Sequence, residues 1–282
     1  MIWWMIKLIF RPVRLIFLLT FVWIAINILK IENSTTQDAE ELAWCKEYKP
    51  NLSFEECRIV IAGDIVHQKI TISNELTMLV SWFLNKCSEL CPVVLIAGNH
   101  DLLENNKDRL DSLTPIIEIM NNPYVSYLTE SKCYLDENIV WCCYSIFEEN
   151  ARPDIDACRK EYGDDKKYIG LFHAPVNGAI TSVGFEFEES VELQQFEGCD
   201  AVIMGDIHHR QNFVHKGINI TYSGSFIQQD FGERVSEHGY LIWDVEHLDY
   251  TEHDIDTDYG FYVFKINSLE DIDNGKEYIT NS

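Results

Sequence analysis

Four apolar runs in this chain each end abruptly in a cluster of carboxylate, amide or imidazole side chains. They read "IVIAGD" to Asp64, "VLIAGNHD" to Asn99, His100 and Asp101, "YIGLFHAP" through His173, and "AVIMGDIHHRQ" through Asp206, His208 and His209. Runs this short, aliphatic and β-branched read as buried strands. Gly98 breaks its strand and lets the backbone turn tightly, and the two Gly-Asp pairs do the same. The polar side chains therefore fall on loops at the carboxyl ends of strands, where open α/β sheets hold their ligands. One such loop is suggestive, and four together are hard to attribute to coincidence. Carboxylate, amide oxygen and imidazole are donors that suit Mn²⁺, Fe²⁺ or Zn²⁺ with positions left open for substrate.

The remaining chain predicts what surrounds those strands. Residues 32–57 are polar and helix-compatible. A helical pattern follows through "NELTMLVSWFLNKCSEL", with Asn74 as its N-cap. A second helix is expected in "RLDSLTPIIEIM", capped by Thr114 with Pro115 in its first turn. Further strand-like runs lie at 124–128, 139–145, 168–172, 201–204, 218–222 and 240–245. Helices gather in the first half and strands crowd the second, which suggests two sheets flanked by helices. No repeat or low-complexity block interrupts them.

With 282 residues, 46% of them apolar, there is material for one large α/β domain, or one domain with a small appendage. The formal charge is −24. Residues 1–31 hold Lys7, Arg11, Arg14 and Lys30 and no acid, which leaves 18 basic against 46 acidic residues for the body. Such a body repels phosphate backbones at long range, which argues against nonspecific coating of nucleic acid. Work on nucleic acid then needs metal ions or a basic partner. Nine cysteines form no CxxC pair, and Cys87 with Cys91 has no second pair to complete a zinc site. They read as free thiols in a reducing compartment.

The first thirty residues stand apart. Leu15 to Leu29 is uncharged and strongly apolar, and it approaches the ~20 residues of a membrane span only by borrowing from Ile9 onward. Residues 9–29 are thus a candidate single-pass anchor, and no small-residue cleavage site follows them. An anchor with its basic flank inside would send the acidic body across the membrane, against the reducing, cytoplasmic setting that the thiols suggest.

In order, GD, GNHD, His and G-x-x-H resemble the calcineurin-like metallophosphoesterases. "RLDSLTPII", "YSIFEEN", "GLFHAPV" and "YSGSFIQQDFGE…HGYLIWDV" are similar to the SbcD-type nuclease subunit of double-strand-break repair, especially its compact virus- or phage-encoded versions. The likeness covers roughly residues 50–265, and it implies a four-layer α/β/β/α sandwich of two mixed sheets. It also implies two divalent metals, Mn²⁺ foremost, and two-metal hydrolysis of a phosphodiester. Asp64 would bridge the metals, Asn99 and His173 would bind the second, and His208 the first. His100 would contact the scissile phosphate and protonate the leaving oxygen. Asp101 would orient His100, with a helix N-cap as the equal alternative. His67 could contact substrate or be a plain surface residue, and His209 and Arg210 read as a solvated loop. DNA, reached through an SbcC-like ATPase, is the implied partner, with homodimerisation left open. The domain boundaries expected are 1–31 for the apolar segment, 50–246 for the phosphoesterase domain and 247–282 for a tail or the start of a cap.

Two departures from the pattern matter. Asp206 stands where the family's Gly-His-x-His places a metal-binding histidine, and a carboxylate can still ligate a hard cation. The family also opens with a strand carrying Asp-x-His for the first metal, whereas no histidine precedes His67 here. The apolar segment lies where that strand belongs. Only the second metal's ligands therefore look complete. Three explanations stay open: a misread or rearranged start, a membrane-anchored relative that has become a binding module, or slow hydrolysis with one metal. Accordingly, a DNA nuclease leads, ahead of a membrane-tethered enzyme for a small or lipid phosphodiester and of a non-catalytic interaction module.

Overall fold

Strand alternation sets the layering. In the strand Cys57–Ala62, Ile59 and Ile61 pack into one cluster, while Val60 and Ala62 pack into another on the opposite face. A strand buried on both faces must lie between two layers. The computed structural model describes residues 26–30, 54–67, 72–255 without 104, 107, 108 and 149, and 260–261. Its first sheet contains β1 (Ile26–Lys30), β2 (Cys57–Ala62), β3 (Val93–Ile96) and β4 (Val125–Leu128). The second holds β5 (Cys133–Asp136), β6 (Ile139–Tyr144), β7 (Lys167–His173), β8 (Ala201–Gly205), β9 (Gln211–His215) and β10 (Ile218–Tyr222). The chain then returns to the first sheet with β11 (Gly239–Asp244) and β12 (Asp249–Asp254). The strand orders are β12-β11-β1-β2-β3-β4 and β5-β6-β7-β8-β10-β9. Both sheets mix parallel and antiparallel pairs.

Three apolar layers hold these sheets. Val60, Ile96, Trp141, Leu171, Ile203 and Trp243 fill the space between them. On the outer side of the first sheet lie α1 (Asn74–Leu90) and α2 (Thr114–Met120), which contribute Val80, Leu84 and Ile116. Outside the second lie α3 (Ile155–Tyr162) and a short 3₁₀ turn, which contribute Ile155 and Phe196. The result is the α/β/β/α sandwich of two mixed sheets that the sequence leads one to expect. Ser73, one residue before Asn74, caps α1 by accepting from Leu76 N at 3.2 Å. At α2 the N-cap position is Leu113, and Asp111 just before it serves the helix start instead, its Oδ1 accepting from the N–H groups of Leu113 and Thr114. A carboxylate satisfies orphan donors more strongly than the hydroxyl of Thr114 could.

The sheets are also pinned at the amino end of β2. Arg58, 3% exposed, forms a two-pronged pair with Asp136 of β5, Nη2 to Oδ1 at 2.7 Å and Nε to Oδ2 at 2.9 Å. Asp136 Oδ2 also accepts from the indole N–H of Trp141 at 2.9 Å.

The candidate anchor at residues 9–29 needs correction at its carboxyl end. Ile26–Lys30 is β1, extended between β2 and β11, with Ile28 opposite both Ile59 and Ile242. A strand paired along both edges lies within its sheet, so this end of the apolar run is not part of a membrane-spanning helix. Residues 9–25 lie outside the described residues. Among the described residues no helix is long and apolar enough to cross a membrane.

Candidate metal centre

The four strand ends named by the sequence converge. Asp64 follows β2, Asn99 follows β3, His173 ends β7 and Asp206 follows β8, so the two sheets each supply two of them. One ligand atom each from Asp64, His173 and Asp206 lies within 4.8 Å of the others. His173 Nε2 stands 3.3 Å from Asp64 Oδ2 and 3.7 Å from Asp206 Oδ1, without hydrogen-bond geometry to either. Its other ring nitrogen, Nδ1, donates to the Ala62 carbonyl at 2.6 Å, an outer contact that turns Nε2 into the site.

Glycine makes that convergence sterically feasible. A Cβ on Gly98 would come within 2.1 Å of Asp64 Oδ1, and one on Gly205 within 1.8 Å of the Ala62 carbonyl oxygen. Asp64 and Asp206 themselves adopt left-handed backbone, with φ of 57° and 87°. Non-glycine residues there carry about 1–3 kcal/mol of strain each, a feature concentrated at functional sites.

The electrostatics are those of a site built for a cation. Burial raises the Asp64 carboxyl, but the imidazole of His173 outweighs it and holds the group below its ordinary value. Burial likewise opposes charge on His173, and the attraction of Asp64 overrides it and lifts the imidazole to about 9. Asp206 is raised, chiefly by burial. Three buried side-chain polar atoms have no hydrogen-bond partner among the described residues: Arg210 Nη2, away from the cluster, and, within this site, Asn99 Oδ1 and His173 Nε2. Buried polar atoms are rarely left unpaired; Asn99 Oδ1 has a lone pair to give to a metal, and His173 Nε2 has one once its proton is released. The donor set of two carboxylates, one imidazole and one amide oxygen therefore fits a divalent cation.

Asp101 does something the sequence did not suggest. It is fully buried; Oδ2 accepts from the N–H groups of Asp64 and Gly98 at 2.8 Å, and Oδ1 from Val66 N at 3.0 Å. It staples the two ligand-bearing loops together, and it caps no helix: none of the described residues between 101 and 113 is helical. Burial and then the Asp64 charge push its carboxyl up to about 7, against the backbone donors. His100 is held by the loop after β2. Its N–H donates to Asp64 Oδ1 at 2.9 Å, its Nδ1 bonds the His67 carbonyl at 2.9 Å, and its ring stacks on that of His67 at 5.0 Å.

His208 is not among the three clustered groups. Its Nδ1 donates to Glu233 Oε1 at 2.5 Å, and Glu233 is buried, its Oε2 accepting from Gln229 N at 2.8 Å. Glu233 closes the "QQDFGE" segment, yet nothing in its spacing marks it as a partner of His208. Arg210 also departs from the solvated-loop expectation. Its side chain is only 10% exposed, donating to the Ser223 carbonyl and pairing with Asp254 at 2.9 Å and Glu252 at 3.2 Å on β12. His209 beside it is exposed. No second metal cluster occurs among the described residues. The interior strand beside β2 is "INILK", which offers neither carboxylate nor imidazole.

A two-sheet sandwich with carboxylates, imidazole and amide gathered at its strand ends is the architecture of a metal-dependent phosphoester hydrolase. The chain matches the calcineurin-like phosphoesterase model over residues 42–210 and belongs to that family, whose members normally use two divalent metals. It is 37% identical over 228 residues to an uncharacterized protein of Acanthamoeba polyphaga mimivirus, covering 78% of this chain and 17% of that one. It is 24% identical over 213 residues to the D component of the nuclease SbcCD from Staphylococcus epidermidis, covering 67% and 55%. The same component from Staphylococcus saprophyticus is also 24% identical, over 221 residues, covering 69% and 56%. The chain thus spans about a sixth of the viral relative and little more than half of each bacterial one. A solved phosphopantetheinyl hydrolase of Mycobacterium tuberculosis aligns at a TM-score of 0.37 and 11% identity, covering 72% of this chain and 88% of that one, too weakly to bear on fold or function.

Proposed function

We propose that this metal-dependent phosphoesterase is a phosphodiesterase acting on DNA. The observation that carries the reading is the pair of partnerless buried polar atoms, Asn99 Oδ1 and His173 Nε2, with the clustered Asp64 and Asp206. The similarity to the D component of the nuclease SbcCD supports DNA as substrate, and an SbcC-like ATPase as the partner that grips it. Asp64, Asn99, His173 and Asp206 would hold Mn²⁺, which suits a mixed oxygen and imidazole donor set. Such an ion, when bound, shields charge on the phosphate and lowers the pKa of a coordinated water.

The chain's own residues then divide the remaining work. Asp64 orients the loop of His100 by accepting its N–H, so the imidazole stands at the edge of the ligand cluster. With Nδ1 committed to the His67 carbonyl, Nε2 is the nitrogen that hands a proton to the leaving alkoxide. Such general-acid help is worth roughly 10²–10⁴-fold. Asp101 takes no proton in this scheme and acts by positioning both loops. His208, turned by Glu233, would serve a first metal. With no Asp-x-His on β1 to assist it, that position is weakly held and turnover is slow.

The test uses the full chain. Calorimetry should show Mn²⁺ binding, with Asn99→Ala weakening it by at least about tenfold, the loss that even outer partners of a metal cause. His100→Ala should leave Mn²⁺ binding intact and cut hydrolysis of linear DNA and of bis-p-nitrophenyl phosphate by roughly 10²-fold or more. Binding unchanged by Asn99→Ala would sink the ligand assignment. Hydrolysis of the small diester but not of DNA would sink the nuclease reading alone.

A further inference from the structure

Away from the strand-end site, several cysteines share one layer of the core. Cys133, Cys142 and Cys199 belong to the cluster on the outer face of the second sheet, and Cys158 of α3 packs at its margin. The β5–β6 register sets Cys133 directly opposite Cys142. Cys143 N donates to the Lys132 carbonyl at 3.0 Å, which makes the adjacent pair the hydrogen-bonded one. Cys133 and Cys142 are therefore a non-hydrogen-bonded pair, with Cα atoms ~4.5 Å apart and side chains at their closest. A disulfide spans Cα separations of ~4.4–6.8 Å. The two Sγ atoms already touch, at 3.9 Å. Alternation points Cys143 to the other face, into the layer between the sheets, where its thiol meets the Leu128 carbonyl.

We propose that Cys133 and Cys142 form a dithiol that hydroperoxides oxidise to a cross-strand disulfide. This inference is independent of the hydrolase reading. Cys133 is the sulfur that meets the oxidant, because β5 is the edge strand of its sheet and Cys133 is 9% exposed, against 0% for Cys142. Contact with Cys142, and then with Cys158, holds the Cys133 thiol below its ordinary value against burial, which favours its thiolate. The thiolate attacks one peroxide oxygen, the O–O bond breaks, and a sulfenic acid and hydroxide form. The Cys142 sulfur then attacks the Cys133 sulfur; the S–O bond breaks, and the hydroxyl leaves as water with the thiol proton. Two thiols lose two electrons, and one hydrogen peroxide becomes two waters.

The experiment treats the folded, fully reduced full chain with hydrogen peroxide, then blocks remaining thiols with N-ethylmaleimide. Glutamyl endopeptidase cuts after Glu137 and Glu148, which separates Cys133, the Cys142–Cys143 pair and Cys158 onto different peptides. The expected product is the Cys133 peptide joined to the Cys142 peptide, two hydrogens lighter than their sum and released by dithiothreitol. Cys143→Ala should retain the link, which assigns it to Cys142, and Cys133→Ala should abolish it. If Cys133→Ala does not fold, the Cys143→Ala product alone decides the matter. No linked peptide, a bridge from Cys133 to Cys158, or sulfinic acid at Cys133 without a bridge would overturn the proposal.

Discussion

His173 shows how much one buried residue can couple. Its imidazole faces Asp64 and Asp206, and the attraction that lifts it to about 9 means that the metal-free protein holds a proton there at neutral pH. A metal needs the neutral ring, so binding must release that proton. Mn²⁺ affinity should therefore rise with pH up to about 9, and calorimetry in buffers of different ionisation enthalpy should show proton release near pH 7. The sign for stability is opposite. The folded pKa lies above the ordinary 6.5, so this ion pair stabilises the metal-free protein fully below about 6.5. That contribution is lost as pH rises through 9, and the metal-free Tm should fall across the interval while the metal-loaded Tm holds. Gly98 supplies a second test at this scale. Gly98→Ala would place a Cβ 2.1 Å from Asp64 Oδ1 and 2.4 Å from Asp64 N, both within the pinned loops. Loss of Mn²⁺ binding with the fold retained, by circular dichroism, is the expected result.

At the scale of elements, the site depends on how β2 is held at both ends. At the carboxyl end of β2, the Asp101 carboxylate joins the loops after β2 and β3 through three backbone N–H groups. At its amino end, Arg58 and Asp136 join β2 to β5 across the sandwich. Removing one partner of a buried ion pair strands the other charge, at a cost of about 3–5 kcal/mol. Asp136→Ala should lower the urea-unfolding free energy by that amount, since Arg58 and the Trp141 indole both lose an acceptor. A change below about 1 kcal/mol would mean that Arg58 finds water or another acceptor instead. β1 matters in the same way: it fills an interior position, so its two neighbours would become bare edges without it.

For the whole molecule, charge decides how a substrate arrives. The formal net charge is −24, and DNA is an anion of high charge density. A basic DNA-binding protein loses affinity as salt rises, because counterions compete for the phosphates. Here the long-range field is repulsive, and salt screens it over a Debye length of ~10 Å at 0.1 M. The KM for linear DNA should fall, or stay level, between 20 and 200 mM salt, whereas that for bis-p-nitrophenyl phosphate should barely move. A KM for DNA that climbs steeply with salt would point to a basic groove that the charge totals hide. A cationic partner should remove the salt effect altogether.

The strand ends were legible because their physics is local: an aliphatic run, a glycine and a polar side chain dictate strand, turn and loop with no help from distant residues. That was enough to name Asp64, Asn99, His173 and Asp206 and to anticipate two sheets flanked by helices. The dual burial of β2 was likewise written in its apolar run from Ile59 to Ala62. Residues whose role is set by a partner far along the chain stayed hidden. Glu233 meets His208 across 25 positions, Asp101 meets Asp64 across 37 and Arg210 meets Asp254 across 44, and no periodicity encodes such separations. The end of the first apolar segment was ambiguous for a related reason. Hydropathy reports that a segment leaves water, and only pairing to β2 and β11 decides that Ile26–Lys30 leaves it as an extended strand inside a sandwich.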